Sequence, residues 1–221
     1  MQLRFPAYLG LLAGLALSLS APAAAVAGPM EDAILAEINF ARAHPQEYAR
    51  RLMLQPVTDW GRALQAGGQP SDPEALAEAV DALLRQTPLP PLEPDDILAT
   101  AALEHVESQG AAGHVGHNSP DGERFYERLR RHGAEPSAIL AENIAYGPPT
   151  AADTVRELII DSGVPSRGHR RNIFHDGFEV VGVSCGPHRD YATMCVMDFG
   201  GSTGARYASQ KRHERAGQAA E

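Results

Sequence analysis

In VGVSCGPHRDYATMCVMDFG, residues 181–200, two runs of β-branched and apolar residues flank the turn-forming segment GPHRD. This pattern predicts two strands, over 179–186 and 191–200, joined as a hairpin. Cys185 and Cys195 stand ten residues apart on either side of the turn. On paired strands in an oxidising compartment they can form a disulfide, and otherwise they would be two buried thiols. The bridge is the expectation.

Upstream of the hairpin the apolar residues recur at helical spacing. Ile34, Ile38 and Ala41 mark one helix, and Pro45 opens a second, shorter one. The loop QAGGQPSDPEA leads into a helix with Ser71 and Glu74 as a capping box and Pro73 in the first turn. Its face is Leu76, Ala79, Val80, Leu83 and Leu84. After the rigid connector TPLPPLEP, Asp95 and Asp96 start a helix whose stripe runs Leu98, Ala101, Ala102, His105 and Val106. His105 is therefore expected to be a packed, hydrogen-bonded core histidine. Ser119-Pro120 is expected to start the helix that carries Phe125 and Leu129. ILAENIAYG is short, branched and apolar, which predicts a strand ending at Gly147. Thr150 with Asp153 caps a further helix with Val155, Leu158 and Ile159 on its buried side. Helices placed before and between a few late strands do not give the alternation of a parallel α/β sheet. The expected class is α+β, with helices covering a small, mainly antiparallel sheet.

The two ends of the chain differ from this middle. Arg4 is the only charge before the apolar run YLGLLAGLALSLS, and APAAAVA closes on Ala25-Val26-Ala27. That layout predicts a signal peptide over 1–27, cleaved after Ala27. The apolar run is short for a membrane span of roughly 20 residues. The expected location is secreted or periplasmic, with no transmembrane anchor left after cleavage. Residues 28–202 suit one domain, and the tail 203–221, nearly free of apolar residues, is expected to be disordered. The formal net charge of −9 argues against nucleic acid as a partner, because phosphate binding needs a clustered excess of Lys and Arg.

Three segments bring ionisable groups onto loops or element ends. GHVGHNSPDG carries His114 and His117, AENIAYG carries Glu142 in an apolar strand, and GVPSRGHRRNIF carries His169 among Arg167, Arg170 and Arg171. A carboxylate in that strand is costly to bury alone, and the loop histidines are its natural partners. Gly163, Pro165 and Gly168 shape the turn that presents His169, while Arg170 and Arg171 are expected to pair with acidic residues. No G-x-S-x-G nucleophile motif is present, and Ser119 and Ser166 stand in capping and turn contexts.

The segments LAEINFARAHPQEYA, DILATAALEHVESQ, GHNSPDG, AENIAYG, RGHRRNIF and VGV…DFG occur in an order that resembles the CAP superfamily. These are the cysteine-rich secretory, antigen 5 and pathogenesis-related class 1 domains, here in their bacterial extracellular form. The likeness runs from about Glu31 to Gly200. It implies a three-layer α-β-α sandwich with a central cleft holding two histidines and two acids. Position by position these are His117, Glu142 and His169, and at the second acid the chain departs from the family pattern. Where better-studied members place a glutamate the chain reads RELIIDSG, so Ser162 takes that place or Asp161, the nearest acid, substitutes; Glu157 lies one turn earlier. Asp161 is the expectation.

The resemblance implies a binding module for a divalent metal or small ligand. His117 and His169 would give nitrogens to a zinc-class ion, with Glu142 or Asp161 as an oxygen ligand or orienter. His114 is a further candidate ligand. Two alternatives stand beside it. One is a secreted hydrolase with Glu142 as general base on a metal-bound water. The other is a surface interaction protein with a purely structural cleft, meeting a lipid or envelope component.

Overall fold

The structure, a computed structural model, describes residues 28–54, 72–136 and 138–202 of the chain. The predicted signal peptide, the tail 203–221 and Ser71 lie outside the described residues.

Among the described residues, seven helices and four strands follow in the order α1 (Pro29–Ala43), α2 (Pro45–Leu54), α3 (Pro73–Arg85), β1 (Glu93–Pro94), α4 (Asp96–Ala112), α5 (Phe125–His132), β2 (Ala138–Tyr146), α6 (Ala151–Ile160), α7 (Gly168–Ile173), β3 (Val180–His188) and β4 (Ala192–Ser202). The strands form one sheet in the order β1-β3-β4-β2. β3 pairs antiparallel with β4 and β4 with β2, as the hairpin reading anticipated. The sheet is nonetheless mixed. The end of the TPLPPLEP connector forms β1, which runs parallel to β3 through Glu93↔Val180 and Pro94↔Val181.

Side chains alternate across the strands and sort the helices into two outer layers. Ile139, Ala141, Ala145, Val181, Val183, Cys195, Met197 and Phe199 pack into one core with α1, α2, α3, α6 and α7. The opposite face gives Ala138, Leu140 and Val180 to a cluster with Leu98, Ala101 and Leu129. It gives Ile144, Met194 and Val196 to another with Ala102 and Val106. The result is the expected three-layer sandwich, with α4 and α5 forming one outer layer. Gly182 allows the closest approach between layers: a Cβ there would lie inside contact distance of the Leu98 and Ala99 backbone.

Local signals behave mostly as their chemistry requires. Asp95 caps α4 by accepting from Leu98 N at 2.9 Å, and Thr150 caps α6 by accepting from Asp153 N at 3.1 Å. α3 is capped by Asp72, whose carboxylate accepts from Glu74 N. One boundary moves. The helix expected from Ser119-Pro120 starts only at Phe125. Ser119 instead closes a turn, its carbonyl accepting from Gly122 N and its own N–H donating to the Glu123 carbonyl. Cys185 and Cys195 are directly opposed in the β3–β4 register and form the disulfide, with Cα atoms 4.1 Å apart. Among the described residues no helix is long and apolar enough to cross a membrane.

Candidate functional site

The ionisable residues gather around β2, the outermost strand on one side of the sheet. Glu142 sits mid-strand on the face covered by α4 and α5, between Leu140 and Ile144, where the alternation would otherwise place an apolar side chain. It is 5% exposed, so each oxygen needs a partner. Oε1 accepts from His117 Nδ1 at 2.8 Å, and Oε2 is held by the guanidinium of Arg128. Arg128 lies on α5 at a helical step from Phe125 and next to Leu129, on the buried side, and is itself fully buried. The charge-assisted contact with Arg128 offsets part of the cost of burying both ions.

Asp198 lies opposite Glu142 in the β2–β4 register, on the same face as Met194 and Val196. It is fully buried, and neither of its oxygens meets hydrogen-bond geometry. Burial raises its carboxyl well above the ordinary value, and the charge of Glu142 raises it further. Burial raises Glu142 as well, against the pull of Arg128. Two adjoining carboxyls share one guanidinium, so the two are pushed upward as a coupled pair.

The second dyad lies on the other side of β2. Asp161 ends α6 in a left-handed conformation, φ 59°, which turns its carboxylate toward the following loop. Oδ1 accepts from His169 Nδ1 at 2.7 Å and Oδ2 from His169 N at 2.9 Å. Asp161, and not Ser162 or Glu157, is therefore the acid that meets the second histidine. Ser162 Oγ accepts from Asp72 N instead. Glu157 is half-buried with Oε2 lacking a partner, and burial raises it to about 8, helped by Asp161 and Asp153. Asn143, the strand neighbour of Glu142, ties the two dyads together. Its side chain donates to the His169 carbonyl at 3.0 Å and accepts from Asn172 at 2.9 Å.

Both histidines thus have one ring nitrogen committed to a carboxylate, and each Nε2 is left for other partners. The His117 side chain is 50% exposed and that of His169 23%. Burial holds the His117 imidazole below its ordinary value, and the charge of Arg128 acts in the same direction. His114 is exposed and joins neither dyad. His105 is fully buried on α4, as anticipated, and burial lowers it to about 4.

The arginines of the RGHRRNIF segment divide. Arg167 and Arg170 both pair with Glu78 on α3, and Arg167 also donates to the carbonyls of Asp161 and Val164. Arg171, expected to pair with an acid, has no acidic partner among the described residues. It is exposed and lines a cavity of about 380 Å³ with Leu83, Gln86 and Phe174. A second cavity of about 570 Å³ runs between α4 and the end of β3. Neither of these two cavities is lined by His117, Glu142, Asp161 or His169.

Metal-ligand chemistry is constrained by these pairings. All four oxygens of Glu142 and Asp161 already accept hydrogen bonds, which leaves the carboxylates as orienters of imidazole. Among the described residues no three His, Cys, Asp or Glu side chains converge as a metal-holding group. With both carboxylates engaged, the donors left to an ion at the dyads are the two imidazole Nε2 atoms. Arg128, Asp198 and Asn143 were not singled out in the sequence. A signal existed for two of them: Asp198 and Arg128 occupy positions that strand alternation and helical spacing assign to the apolar side.

The molecule is thus an α-β-α sandwich with two histidine–carboxylate dyads around its edge strand. The chain belongs to the CAP family, the cysteine-rich secretory protein family, whose model matches residues 35–199. Among solved structures, it is similar to an extracellular protein containing an SCP domain from Bacillus anthracis. The identity is 21% and the TM-score 0.42, over 66% of this chain and 44% of that one. It is also similar to an outer surface protein from Borrelia burgdorferi, at 20% identity and a TM-score of 0.43, over 59% of this chain and 89% of that one. The chain thus spans less than half the length of the Bacillus protein. No curated protein matches it.

Proposed function

We propose that this chain is an exported CAP domain that binds a divalent cation of the zinc class through the Nε2 atoms of His117 and His169. The observation that carries this reading is the pairing of each Nδ1 with a buried or nearly buried carboxylate, Glu142 at 2.8 Å and Asp161 at 2.7 Å. Such pairing fixes the tautomer with the proton on Nδ1, turns the free lone pair outward and raises ligand basicity. Two protein nitrogens would leave the remaining positions of the ion to water or to a small ligand. The metal would supply Lewis acidity to whatever occupies them. The protein's own part is to hold the two rings, keep Glu142 ionised against Arg128, and keep the carboxylates from competing as ligands.

A hydrolase reading has less behind it. Glu142 is fully engaged, Ser119 Oγ accepts from Arg128 at 3.2 Å, and neither histidine contacts a hydroxyl nucleophile.

The test is calorimetric titration of chelator-stripped protein, residues 28–221, with zinc, beside the variant His117→Ala/His169→Ala. Sub-micromolar binding in the wild type that is lost in the variant is the expected result. Equal binding by both proteins, or none by the wild type, overturns the reading.

A further inference from the structure

The segment that carries His117 is held in an unusual way. Between the end of α4 and the turn at Ser119, residues 115–118 make no backbone-to-backbone hydrogen bond among the described residues. Every hydrogen bond of their main chain goes to a side chain from a neighbouring element. A glycine-rich loop of this kind has little stiffness of its own, and Gly116 stands at φ 107°, which only glycine adopts readily. The place of the His117 ring is therefore set by whatever grips the loop.

Most of that grip converges on Gln109, a fully buried residue near the end of α4. Its Nε2 donates to the Gly116 carbonyl at 2.8 Å and to the Asn118 carbonyl at 3.1 Å, the residues on either side of His117. Its Oε1 accepts from the hydroxyl of Tyr146 on β2 at 3.0 Å, and that hydroxyl accepts in turn from Gly116 N at 2.9 Å. The chain from Gly116 N–H through Tyr146 to Gln109 leaves one consistent orientation for the amide, with its nitrogen toward the loop. His105 adds Nε2 as a second donor to the Gly116 carbonyl at 3.0 Å. Arg128 reaches the His117 carbonyl more weakly, at 3.4 Å.

We infer that Gln109, oriented by Tyr146, is the positioning residue that sets the His117 ring on Glu142 by holding the peptide groups on both sides of that histidine. It touches neither ring, and its effect runs only through the loop. The inference deepens the proposed metal-binding reading but does not need a bound metal to be tested.

The test uses long-range proton–nitrogen spectra of the imidazole groups in the 15N-labelled protein, with zinc titration of the same samples. Wild type is expected to show His117 as a fixed tautomer, with the proton on Nδ1. Gln109→Leu removes both donors and is expected to average the two ring-nitrogen signals and to weaken zinc binding about 10-fold, in the range seen when outer-shell partners are lost. Tyr146→Phe leaves the amide in place but frees its orientation, and is expected to act in the same direction with a milder fold penalty. It also serves as the working variant should Gln109→Leu not fold. Leu98→Ala, on the same helix but in the cluster at its other end, is the control. It should lower the melting temperature while leaving the His117 signals intact. Fixed His117 signals in folded Gln109→Leu or Tyr146→Phe would overturn the inference, as would equal averaging in Leu98→Ala. Averaged signals in a protein that binds no zinc would uphold the positioning role and sink the metal reading alone.

Discussion

At the scale of single residues, the site is an exercise in charge accounting. Among the described residues Arg128 is the one guanidinium paired with Glu142, and Glu142 adjoins Asp198, so removing Arg128 leaves two buried carboxyls without that cation. Losing one partner of a buried ion pair costs about 3–5 kcal/mol, whereas replacing the whole set by neutral isosteres is far milder. Arg128→Met is therefore expected to lower stability by about that amount in urea unfolding at pH 8, and by less at pH 5, where the carboxyls protonate. Arg128→Met/Glu142→Gln/Asp198→Asn should recover much of the loss. A single-variant loss under about 1 kcal/mol would show that the guanidinium is not what keeps Glu142 buried. Part of this site was legible in the sequence. An isolated carboxylate in ILAENIAY demanded a partner. The family likeness supplied His117 and His169, and Asp161 was the nearest acid where the chain departs from the family pattern. The partner's own partner was not legible. That Arg128 and Glu142 meet depends on how α5 crosses β2, and nothing within either segment states that crossing.

At the scale of elements, α4 is the piece on which the site depends. It covers Glu142, carries Gln109 and His105, and approaches the sheet at Gly182, where a methyl group has no room beside Leu98 and Ala99. Since the obstructing atoms are mainly backbone, neither rotamer change nor side-chain repacking can relieve the contact. Gly182→Ala is expected to cost roughly 3 kcal/mol or more, at or above the upper end for overpacked cores, and to push α4 outward. The check is the melting temperature together with amide exchange of α4 and of residues 114–118. Both should lose protection together, because the loop hangs from that helix. A variant as stable as wild type would mean that the close approach is not needed. The element pattern itself was readable from short-range chemistry. Helical stripes, the Asp95 and Thr150 caps and the hairpin around GPHRD each arise within a few residues. The misplacements have a common cause. Ser119-Pro120 offers a good helix start, but Arg128 draws the Ser119 hydroxyl and Glu123 its N–H, so the segment becomes a turn. Likewise Glu93–Pro94 lacks any strand signal and pairs only because β3 presents a free edge there.

At the scale of the whole molecule, the buried titratable groups set how stability varies with pH. Two kinds oppose each other. His105 falls from 6.5 to about 4, so the unfolded chain takes up its proton first and stability rises with pH between those values. Glu157 rises from 4.5 to about 8, so the folded chain keeps a proton that the unfolded chain releases, and stability falls as pH climbs through that range. Asp198 acts with Glu157. Between about pH 4.5 and 6.5 His105 offsets only part of the effect of the acids, so the decline there is shallow. Above pH 6.5 the histidine contribution is complete and the acids act alone. Stability is therefore expected to decline from pH 6.5 to 8, with Glu157 accounting for roughly 1–2 kcal/mol of the fall. Glu157→Gln keeps the shape of the side chain and removes the proton, so its urea midpoint should exceed that of wild type at pH 8, and the two should converge toward pH 5. Measuring both proteins at pH 5, 6.5 and 8 separates the cases. A wild-type midpoint that holds or rises toward pH 8, or a variant with the same decline, would mean that Glu157 reaches solvent or a partner on folding. The expected result would place an uncompensated acid one turn before Asp161. The helix that supplies the second dyad would then be held with less margin than the sheet that supplies the first.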